Sequence, residues 1–152
     1  MTGPAEHGAT VHERLVLRSD RDDLPSLFPW FEAIAERIGL PPHAAFSIQV
    51  VLEEAVVNAI MHGYEPDDAG EVSLDVTASP ARVVAVLRDG GRPFNPLTEA
   101  PSSEPKPIAE ASIGGLGVKL MHALCAELTW RRDGGTNELT MGFEIGGMTA
   151  ST

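Results

Sequence analysis

Residues 46–63 of the chain have the sequence FSIQVVLEEAVVNAIMHG, and this stretch decides the fold. When it is placed on a helix, apolar side chains point in almost every direction, which is typical of a helix buried on most sides. We therefore predict a helix over residues 43–62 that ends at Gly63. Two polar side chains, Glu54 and Asn58, interrupt the apolar pattern. They are four residues apart, so they lie one turn apart on the same face.

Glu54 is the side chain that requires an explanation, because an ionised carboxylate among apolar neighbours is costly unless it is paired or bound to a cation. One interpretation is that Glu54 and Asn58 form a buried polar pair that holds a loop. The other is a carboxylate base beside an amide oxygen that ligates Mg²⁺, an ion that takes few protein ligands and keeps water and phosphate oxygens. Glu53 lies about 100° further round the helix and is expected to face another surface. His62 is interpreted as a polar residue near the helix C-terminus.

A second motif, Asp89-Gly-Gly-Arg-Pro-Phe94, follows an apolar strand predicted over residues 83–87. An aspartate at the end of a buried strand, followed by two glycines, places a carboxylate at the floor of a crevice where backbone can come close to a ligand. Such a carboxylate suits an exocyclic amine, for example the 6-amino group of adenine. The alternative is a simple tight turn, because Asp-Gly is a common turn dipeptide.

A glycine cluster, Gly114-Gly-Leu-Gly-Val118, begins a helix predicted over residues 118–126. Backbone N–H groups and the helix dipole at such a terminus can hold phosphate oxygens. The cluster has neither the Gly-Lys-Ser/Thr of a Walker loop nor the preceding strand of a dinucleotide fingerprint. A flexible helix start is the alternative interpretation, and Lys119 is either an added positive charge or a solvated surface lysine.

The rest of the chain predicts strands and a further helix around these motifs. An edge strand is expected over residues 13–19, followed by a helix over 20–40. A strand pair follows over 72–77 and 83–87, and its second member is expected to be central. The chain then forms a hairpin of strands over 128–132 and 139–145. The aperiodic residues 92–112 are expected to form a lid or binding loop. Helices segregated against a sheet give an α+β, two-layer sandwich, with a mixed, mostly antiparallel sheet covered on one face by helices. We expect one domain over residues 13–146, with flexible segments at 1–12 and 147–152.

The charge of the chain limits its partners. Among 152 residues, 22 are acidic and 11 are basic, which gives a formal net charge of −11. The basic residues are scattered, so direct binding to nucleic acid or to anionic membranes is not expected. The single cysteine, Cys125, cannot form an internal disulfide, no apolar stretch is expected to be long enough to span a bilayer, and the N-terminus lacks the apolar segment of a signal peptide. We therefore expect a cytoplasmic protein.

The order and spacing of the motifs resemble those of the GHKL ATPase superfamily, whose members share the Bergerat ATP-binding fold. The motifs are similar to the N, G1 and G2 boxes and closing threonine of that superfamily: Glu54-x-x-x-Asn58, Asp89-x-Gly91, Gly115-x-Gly117 and Gly135-Thr136. The string from Glu54 to Tyr64 is, in addition, similar to that of the anti-sigma serine-protein kinases of the RsbW and SpoIIAB kind. The resemblance covers roughly residues 13–145.

The resemblance implies ATP and Mg²⁺ as cofactors and a role for each matching residue. Glu54 would be the general base that accepts the proton of the attacking serine hydroxyl, and Asn58 would ligate Mg²⁺. Asp89 would bind the adenine amine, Gly91 would leave room for the adenine ring, and Thr136 would support the site through its hydroxyl. Under a lid formed by residues 95–113, further ATP-binding positions would line the phosphates, namely Gly115, Leu116 and Gly117.

The resemblance also implies partners. With ATP bound, such a protein sequesters a sigma factor or phosphorylates a serine on an anti-anti-sigma antagonist with a STAS domain, and it works as a homodimer. For the cation that contacts the γ-phosphate, the sequence leaves three candidates open: Arg92, Lys106 and Lys119.

Three other functions remain open at this point. A protein of the same fold could sequester a partner without phosphorylating it, although Glu54 argues against this. The catalytic fragment of a histidine kinase would need a dimerising helical segment with a phosphorylatable histidine, and only residues 1–12 precede the first predicted strand. A plain α+β interaction domain would have to hold Glu54 and Asn58 by local hydrogen bonds alone.

Overall fold

The computed structural model describes residues 10–99 and 115–149. Within these ranges the strands are β1 Val11–Arg18, β2 Glu71–Ala78, β3 Arg82–Asp89, β4 Glu127–Asp133 and β5 Thr136–Glu144. They form one sheet in the order β1-β2-β3-β5-β4, in which each neighbouring pair is antiparallel. The predicted edge position of β1 and central position of β3 are confirmed, and the described sheet is wholly antiparallel rather than mixed.

Helices cover one face of this sheet. They are α1 Leu27–Ile38, α2 Pro42–Gly63, α3 Pro96–Glu99, α4 Gly115–Leu124 and α5 Ile145–Thr149. Helices α1 and α2 pack against each other and against the strands, and α4 packs on α2. The predicted two-layer α+β class is therefore confirmed.

Only one face of the sheet is buried. Val72, Leu74 and Val76 of β2 are almost fully buried, whereas Asp75 between them is partly exposed. This alternation arises because successive strand residues point to opposite faces. Strand β3 follows the same pattern, so Val86 is only half-buried on the open face although the strand is apolar throughout.

Ion pairs run across the open face of the sheet. Arg88 on β3 contacts Asp75 on β2 at 2.9 Å and Glu138 on β5 at 2.8 Å, and Glu138 also accepts a hydrogen bond from Arg131 on β4 at 2.7 Å. The two arginines, Arg131 first, hold the pKa of Glu138 below its ordinary value. Such exposed pairs contribute little to stability individually, but they neutralise the acidic residues of this face.

Helix α2 lies at the centre of the core, where Ile48, Val51, Leu52 and Val56 have no exposed surface. By length and composition α2 could cross a membrane, because it has 22 residues and a mean hydropathy of 1.5 in its most apolar stretch. This finding corrects the expectation that no apolar stretch is long enough. Of that stretch, 56% is buried inside the structure, and its packing against α1, α4, β2 and β3 accounts for its apolar composition.

The first helix is shorter than the predicted span of 20–40. A short 3₁₀ turn over Leu24–Ser26 precedes it, so α1 begins only at Leu27. It ends at Gly39, whose φ of 72° turns the chain so that the N–H of Leu40 donates to the carbonyl of Ala35 at 2.9 Å in a left-handed C-cap. The predicted stop after this helix is therefore confirmed.

The ends of the domain differ from the prediction. Strand β1 begins at Val11, inside the segment 1–12 that we expect to be flexible. The last strand ends at Glu144, and helix α5 follows where the segment 147–152 is expected to be flexible. Met148 of α5 is 7% exposed and belongs to the core, and this burial explains why a stretch with two glycines becomes helical. Most of the predicted lid, residues 95–113, lies outside the described residues, as does Lys106.

Candidate functional site

Glu54 and Asn58 lie in the second half of α2, and both have polar atoms without a partner. Asn58 is 3% exposed and Glu54 is half-buried. Glu54 Oε2 and Asn58 Nδ2 are buried and make no hydrogen bond with any described residue. Burial raises the pKa of Glu54, the nearby Asn58 side chain lowers it, and the charge of Glu53 raises it further. The two side chains approach each other without forming the satisfied polar pair that a purely structural role requires.

Gly117 lies directly against the side chain of Glu54. A Cβ atom at position 117 would be 1.9 Å from Glu54 Cγ and 2.1 Å from Glu54 Cδ. No L-amino acid with a side chain fits there unless Glu54 moves. Gly115 and Leu116 form the backbone of the first turn of α4, so the start of this helix is positioned against the carboxylate.

Asp89 ends strand β3 and is 8% exposed. Its Oδ1 accepts two hydrogen bonds of 3.0 Å, from the N–H of Gly91 and from Nδ2 of Asn137. Burial raises the pKa of Asp89, while these two hydrogen bonds and the charge of Arg132 lower it. Both donors use Oδ1, so Oδ2 makes no hydrogen bond with the described part of the chain and is available to a ligand amine.

Gly91 is required for a different contact from the predicted one. A Cβ at this position would be 2.3 Å from the carbonyl oxygen of Gly63, at the end of α2. The same carbonyl accepts the N–H of Arg92 at 2.9 Å. The structure therefore assigns to Gly91 the close packing of the β3 loop on α2, which fixes Asp89 beside that helix.

Tyr64 supports this loop from the other side, a role that the sequence analysis missed. Its hydroxyl donates to the carbonyl of Glu71 at 2.7 Å and accepts the N–H of Gly90 at 2.9 Å. Burial is the main cause of its raised pKa. Because Tyr64 directly follows α2, the phenol links the end of the helix to the loop that contains Asp89.

Asn137, and not Thr136, is the β5 residue that holds Asp89. Besides the hydrogen bond to Asp89, Asn137 Nδ2 donates to the carbonyl of Arg92 at 2.8 Å. Its Oδ1 accepts Arg132 Nη1 at 3.0 Å and the N–H of Phe94 at 3.3 Å. Its amide is thus engaged at both ends, and it ties Asp89 to the loop.

Thr136 is half-buried and lies one residue before the strand position that faces Asp89. The antiparallel register pairs Asp89 with Asn137 directly. Thr136 lines a wide depression of about 910 Å³ that it shares with Asp89 and Gly91. The hairpin register thus identifies Asn137 as the residue that holds Asp89, while the supporting role of the Thr136 hydroxyl stays a prediction.

A small cavity lies behind Asp89, between α2 and the sheet. Ala59 and Gly63 of α2 line it on one side, and Asn137 and Trp130 line it on the other. Its free volume is about 20 Å³, which is enough for one water molecule. The indole Nε1 of Trp130, a residue that lines this cavity, is buried and has no hydrogen-bond partner among the described residues.

Phe94 and Pro96 close the cavity towards the loop that follows β3. The ring of Phe94 stacks on that of His62, with centroids 4.5 Å apart. Burial, followed by the charge of Arg92, lowers the pKa of His62. A planar base can enter the cavity only if Phe94 and Pro96 move outwards.

Two of the three candidate cations for a γ-phosphate, Arg92 and Lys119, belong to the described residues. Arg92 Nε donates to the carbonyl of His62 at 2.7 Å, and its guanidinium lies 3.7 Å from Glu65. Lys119 is exposed on α4. Residues 10–99 and 115–149 contain no group of three or more His, Cys, Asp or Glu side chains that could hold a metal ion by themselves.

Comparison with known proteins identifies the family. The model of the histidine kinase-like ATPase domain matches residues 17–143. An anti-sigma F factor of Shouchella clausii is 37% identical over 83 residues, 53% of this chain and 56% of that protein. A serine-protein kinase RsbW of Listeria monocytogenes is 24% identical over 135 residues, 85% of this chain and 86% of that protein.

A solved structure shows the same fold. The crystal structure of the RsbU and RsbW domains of Rv1364c from Mycobacterium tuberculosis superimposes with a TM-score of 0.61 at 18% identity, over 89% of this chain and 32% of that one. The family model covers strands β2, β3 and β4, nearly all of β5, the helix with Glu54 and Asn58, and the loop with Asp89. The chain therefore belongs to the histidine kinase-like ATPase domain family.

Proposed function

We propose that this chain is an ATP-dependent serine-protein kinase that acts as an anti-sigma factor. The observation that supports this most directly is the half-buried Glu54, whose Oε2 has no partner and whose pKa is raised by burial. A carboxylate with a raised pKa is a better proton acceptor than an ordinary one. The names of the relatives, an anti-sigma F factor and a serine-protein kinase, support the same function. The first of these matches covers only 56% of the relative's length.

The described residues fit a bound nucleotide with a single cation. The orphaned atoms of Glu54 and Asn58 need a partner that the protein does not supply, and rotation of the Asn58 amide would present its oxygen to Mg²⁺. Mg²⁺ requires few protein ligands when phosphates supply the others. When bound, Mg-ATP supplies the phosphoryl group and offsets its charge.

The chain's own residues then perform three tasks. Glu54 accepts the proton of the attacking serine hydroxyl at its free carboxylate oxygen. Gly117 has no side chain and therefore leaves room for Glu54. The N–H groups of the first turn of α4, including those of Gly115 and Leu116, face the phosphates. Asp89 binds the adenine amine through Oδ2, while Asn137 keeps Oδ1 in place.

The partners follow from the same proposal. A sigma factor is sequestered, and the phosphorylated substrate is an anti-anti-sigma protein with a STAS domain. The net charge of −11 disfavours direct contact with nucleic acid or an anionic membrane, so the chain acts on transcription through proteins. We place this activity in the cytoplasm and expect a homodimer.

Transfer of labelled γ-phosphate to a cognate STAS-domain protein tests the proposal. We expect phosphoserine on that protein, and a rate about 10²–10⁴ times lower for Glu54→Gln. Glu53→Gln is the matched control, because Glu53 is exposed on the same helix and is only a secondary cause of the raised pKa of Glu54, so it should change the rate far less than Glu54→Gln. Wild-type protein that fails to transfer phosphate in this assay would contradict the kinase assignment.

A second candidate function is sequestration of a partner without phosphorylation. The contacts of Arg92 favour it, because this candidate for a γ-phosphate contact is bound to the carbonyl of His62 and lies beside Glu65. The same assay separates the two functions. A chain that binds ATP and the sigma factor but transfers no phosphate has this second function.

A further inference from the structure

A groove of about 490 Å³ lies between α1 and the first half of α2. None of the residues that line it belongs to the Glu54 or Asp89 sites. Its apolar walls and floor are formed mainly by Phe28, Phe31, Ala35, Leu40, Ala45 and Phe46. The groove is therefore a separate surface that the proposed nucleotide chemistry does not use.

Two phenylalanines are exposed on the walls of this groove. Phe28 is 52% exposed and Phe46 is 66% exposed, and these are the two most exposed large apolar side chains of the described residues. Phe28 lies on α1 and Phe46 on α2, so they flank the groove from opposite sides. Exposed apolar surface concentrated in a concave site is typical of an interaction surface.

Gln49 adds a second, independent observation. It lines the groove one turn after Phe46, and it is only 7% exposed. Its Oε1 is buried and has no hydrogen-bond partner in the described ranges 10–99 and 115–149. An unsatisfied buried acceptor destabilises the isolated fold, and a donor brought by a ligand would remove that penalty.

Free carboxylates surround the groove. Glu32 and Glu36 of α1 line it, and both are exposed. Neither makes an ion pair with a described residue, whereas the adjacent Arg37 is bound to Glu13 at 2.7 Å. Glu53 is also exposed, one turn beyond Gln49 on α2. The local charge is therefore negative and uncompensated, unlike that of the open face of the sheet.

We propose that this groove binds an amphipathic, positively charged helix of a partner protein. Groove recognition of this kind uses apolar side chains at helical spacing as anchors, and one such side chain fits between Phe28 and Phe46. Lysines or arginines on the flanks pair with Glu32 and Glu36, and a side-chain N–H reaches the Gln49 amide. Helix α1, with 12 residues, has a length of about 18 Å, which matches a ligand helix of three to four turns.

A second copy of the chain is a poor occupant by the same reasoning. In a symmetric contact through the groove, Glu32 and Glu36 of both copies would face one another, and like charges in an interface are unfavourable. The acidic rim also disfavours an anionic membrane surface. Charge complementarity therefore favours a basic helix as the occupant of the groove.

A fluorescein-labelled peptide of about 18 residues, with leucines at helical spacing and lysines elsewhere, is a suitable probe. We expect one-to-one binding by fluorescence anisotropy, and no binding of a peptide in which glutamates replace the lysines. Phe46→Ser, and separately the pair Glu32→Lys and Glu36→Lys, should each weaken binding at least tenfold. Met61→Ser is the matched control: this residue is 47% exposed on the same helix, outside the groove, and its substitution should not change the affinity.

Several results would overturn this assignment. The lysine peptide and the glutamate peptide could bind with equal affinity, or the Phe46→Ser protein could bind the lysine peptide as tightly as the wild type does. The third such result is no binding of the lysine peptide up to about 1 mM. Sedimentation that shows a dimer dissociating on Phe46→Ser would assign the groove to a second copy instead. If Phe46→Ser fails to fold, the charge-reversal protein decides, because both of its positions are exposed. Nucleotide affinity should be the same in all groove variants, so failure of the proposed kinase function and failure of this inference are distinguishable.

Discussion

The α-carbon of Gly117, at the start of α4, is in direct contact with the side chain of Glu54 on α2. A β-carbon there would lie 1.9 Å from Glu54 Cγ. The glycine motif and the carboxylate of the central helix therefore form one site, although they are far apart in the sequence. This contact fixes the position of the Glu54 carboxylate relative to the first turn of α4, where phosphate is expected to bind.

Substitution of Gly117 by alanine tests the importance of that contact. The new methyl group must displace Glu54, and a shift of about 1 Å in a catalytic group can lower a rate about 10²-fold. We expect Gly117→Ala to reduce phosphate transfer by tenfold to about 10²-fold and to leave adenine binding nearly unchanged, because Asp89 is not touched. Gly147→Ala is the control, since a Cβ there meets nothing within 4 Å. Equal transfer rates for the two variants would contradict the arrangement.

Replacement of Glu54 by glutamine should stabilise the protein at neutral pH while abolishing transfer. Because burial raises the folded-state pKa of Glu54, the folded protein binds a proton more tightly than the unfolded chain, and the associated stability is lost as the pH rises through that pKa. The gain in Tm of Glu54→Gln should be absent near about pH 4, the ordinary range of a glutamate, and should grow towards pH 7. Thermal unfolding between these values measures it.

Glu53→Gln supplies the comparison for this experiment, because Glu53 is exposed on the same helix. Its Tm should change far less with pH, relative to the wild type, than that of Glu54→Gln, because burial is the main cause of the raised pKa of Glu54 and the charge of Glu53 is a smaller one. A Glu54→Gln protein that is less stable than wild type at pH 7 would show that the carboxylate makes a stabilising contact, contrary to the unpartnered Oε2.

Asn137→Ala should weaken nucleotide binding far more than Thr136→Ala. The side chain of Asn137 forms hydrogen bonds with Asp89, with the carbonyl of Arg92 and with the N–H of Phe94. Loss of such a buried hydrogen-bond partner typically costs about 1–3 kcal/mol of stability. We expect at least a tenfold loss of ATP affinity for Asn137→Ala and almost none for Thr136→Ala, measured by calorimetry. The reverse order would restore the role that the sequence assigned to the threonine.

Trp130 should report the entry of a base into the cavity behind Asp89. The free space there is about 20 Å³, so a base must displace Phe94 and change the surroundings of the indole. In a Trp30→Phe background, which leaves Trp130 as the only tryptophan, ADP should shift the emission of Trp130. Saturating ADP without any spectral change would exclude the cavity as the base site.

The central helix and its polar pair could be predicted because they depend on local pattern: Glu54 and Asn58 interrupt an apolar helix and fall on one face whatever surrounds them. Asp89 could be predicted for the same reason, since it ends an apolar strand. Asn137 could not, because its role depends on the β3–β5 register and on the start of β5. Helix α5 was also missed, since its two glycines disfavour a helix, and it is stabilised by the burial of Ile145 and Met148.

The packing of one helix against another likewise cannot be predicted from the local sequence pattern. Phe28 and Phe46 each fit the apolar pattern of a predicted helix, and only the packing of α1 against α2 leaves both exposed beside one groove. The contact of Gly117 with Glu54 has the same origin, because it depends on how α4 packs on α2.

Isothermal titration with Mg-ATP and with Mg-GTP tests the central claim most directly. In the proposed site Asp89 would accept a hydrogen bond from the amine of adenine, whereas guanine presents a carbonyl oxygen at that position. The account predicts one saturable site for ATP with a Kd below about 1 mM, at least tenfold weaker binding for Asp89→Asn, and no binding of GTP. Equal binding of the two nucleotides, or no heat from ATP at millimolar concentration, would contradict it.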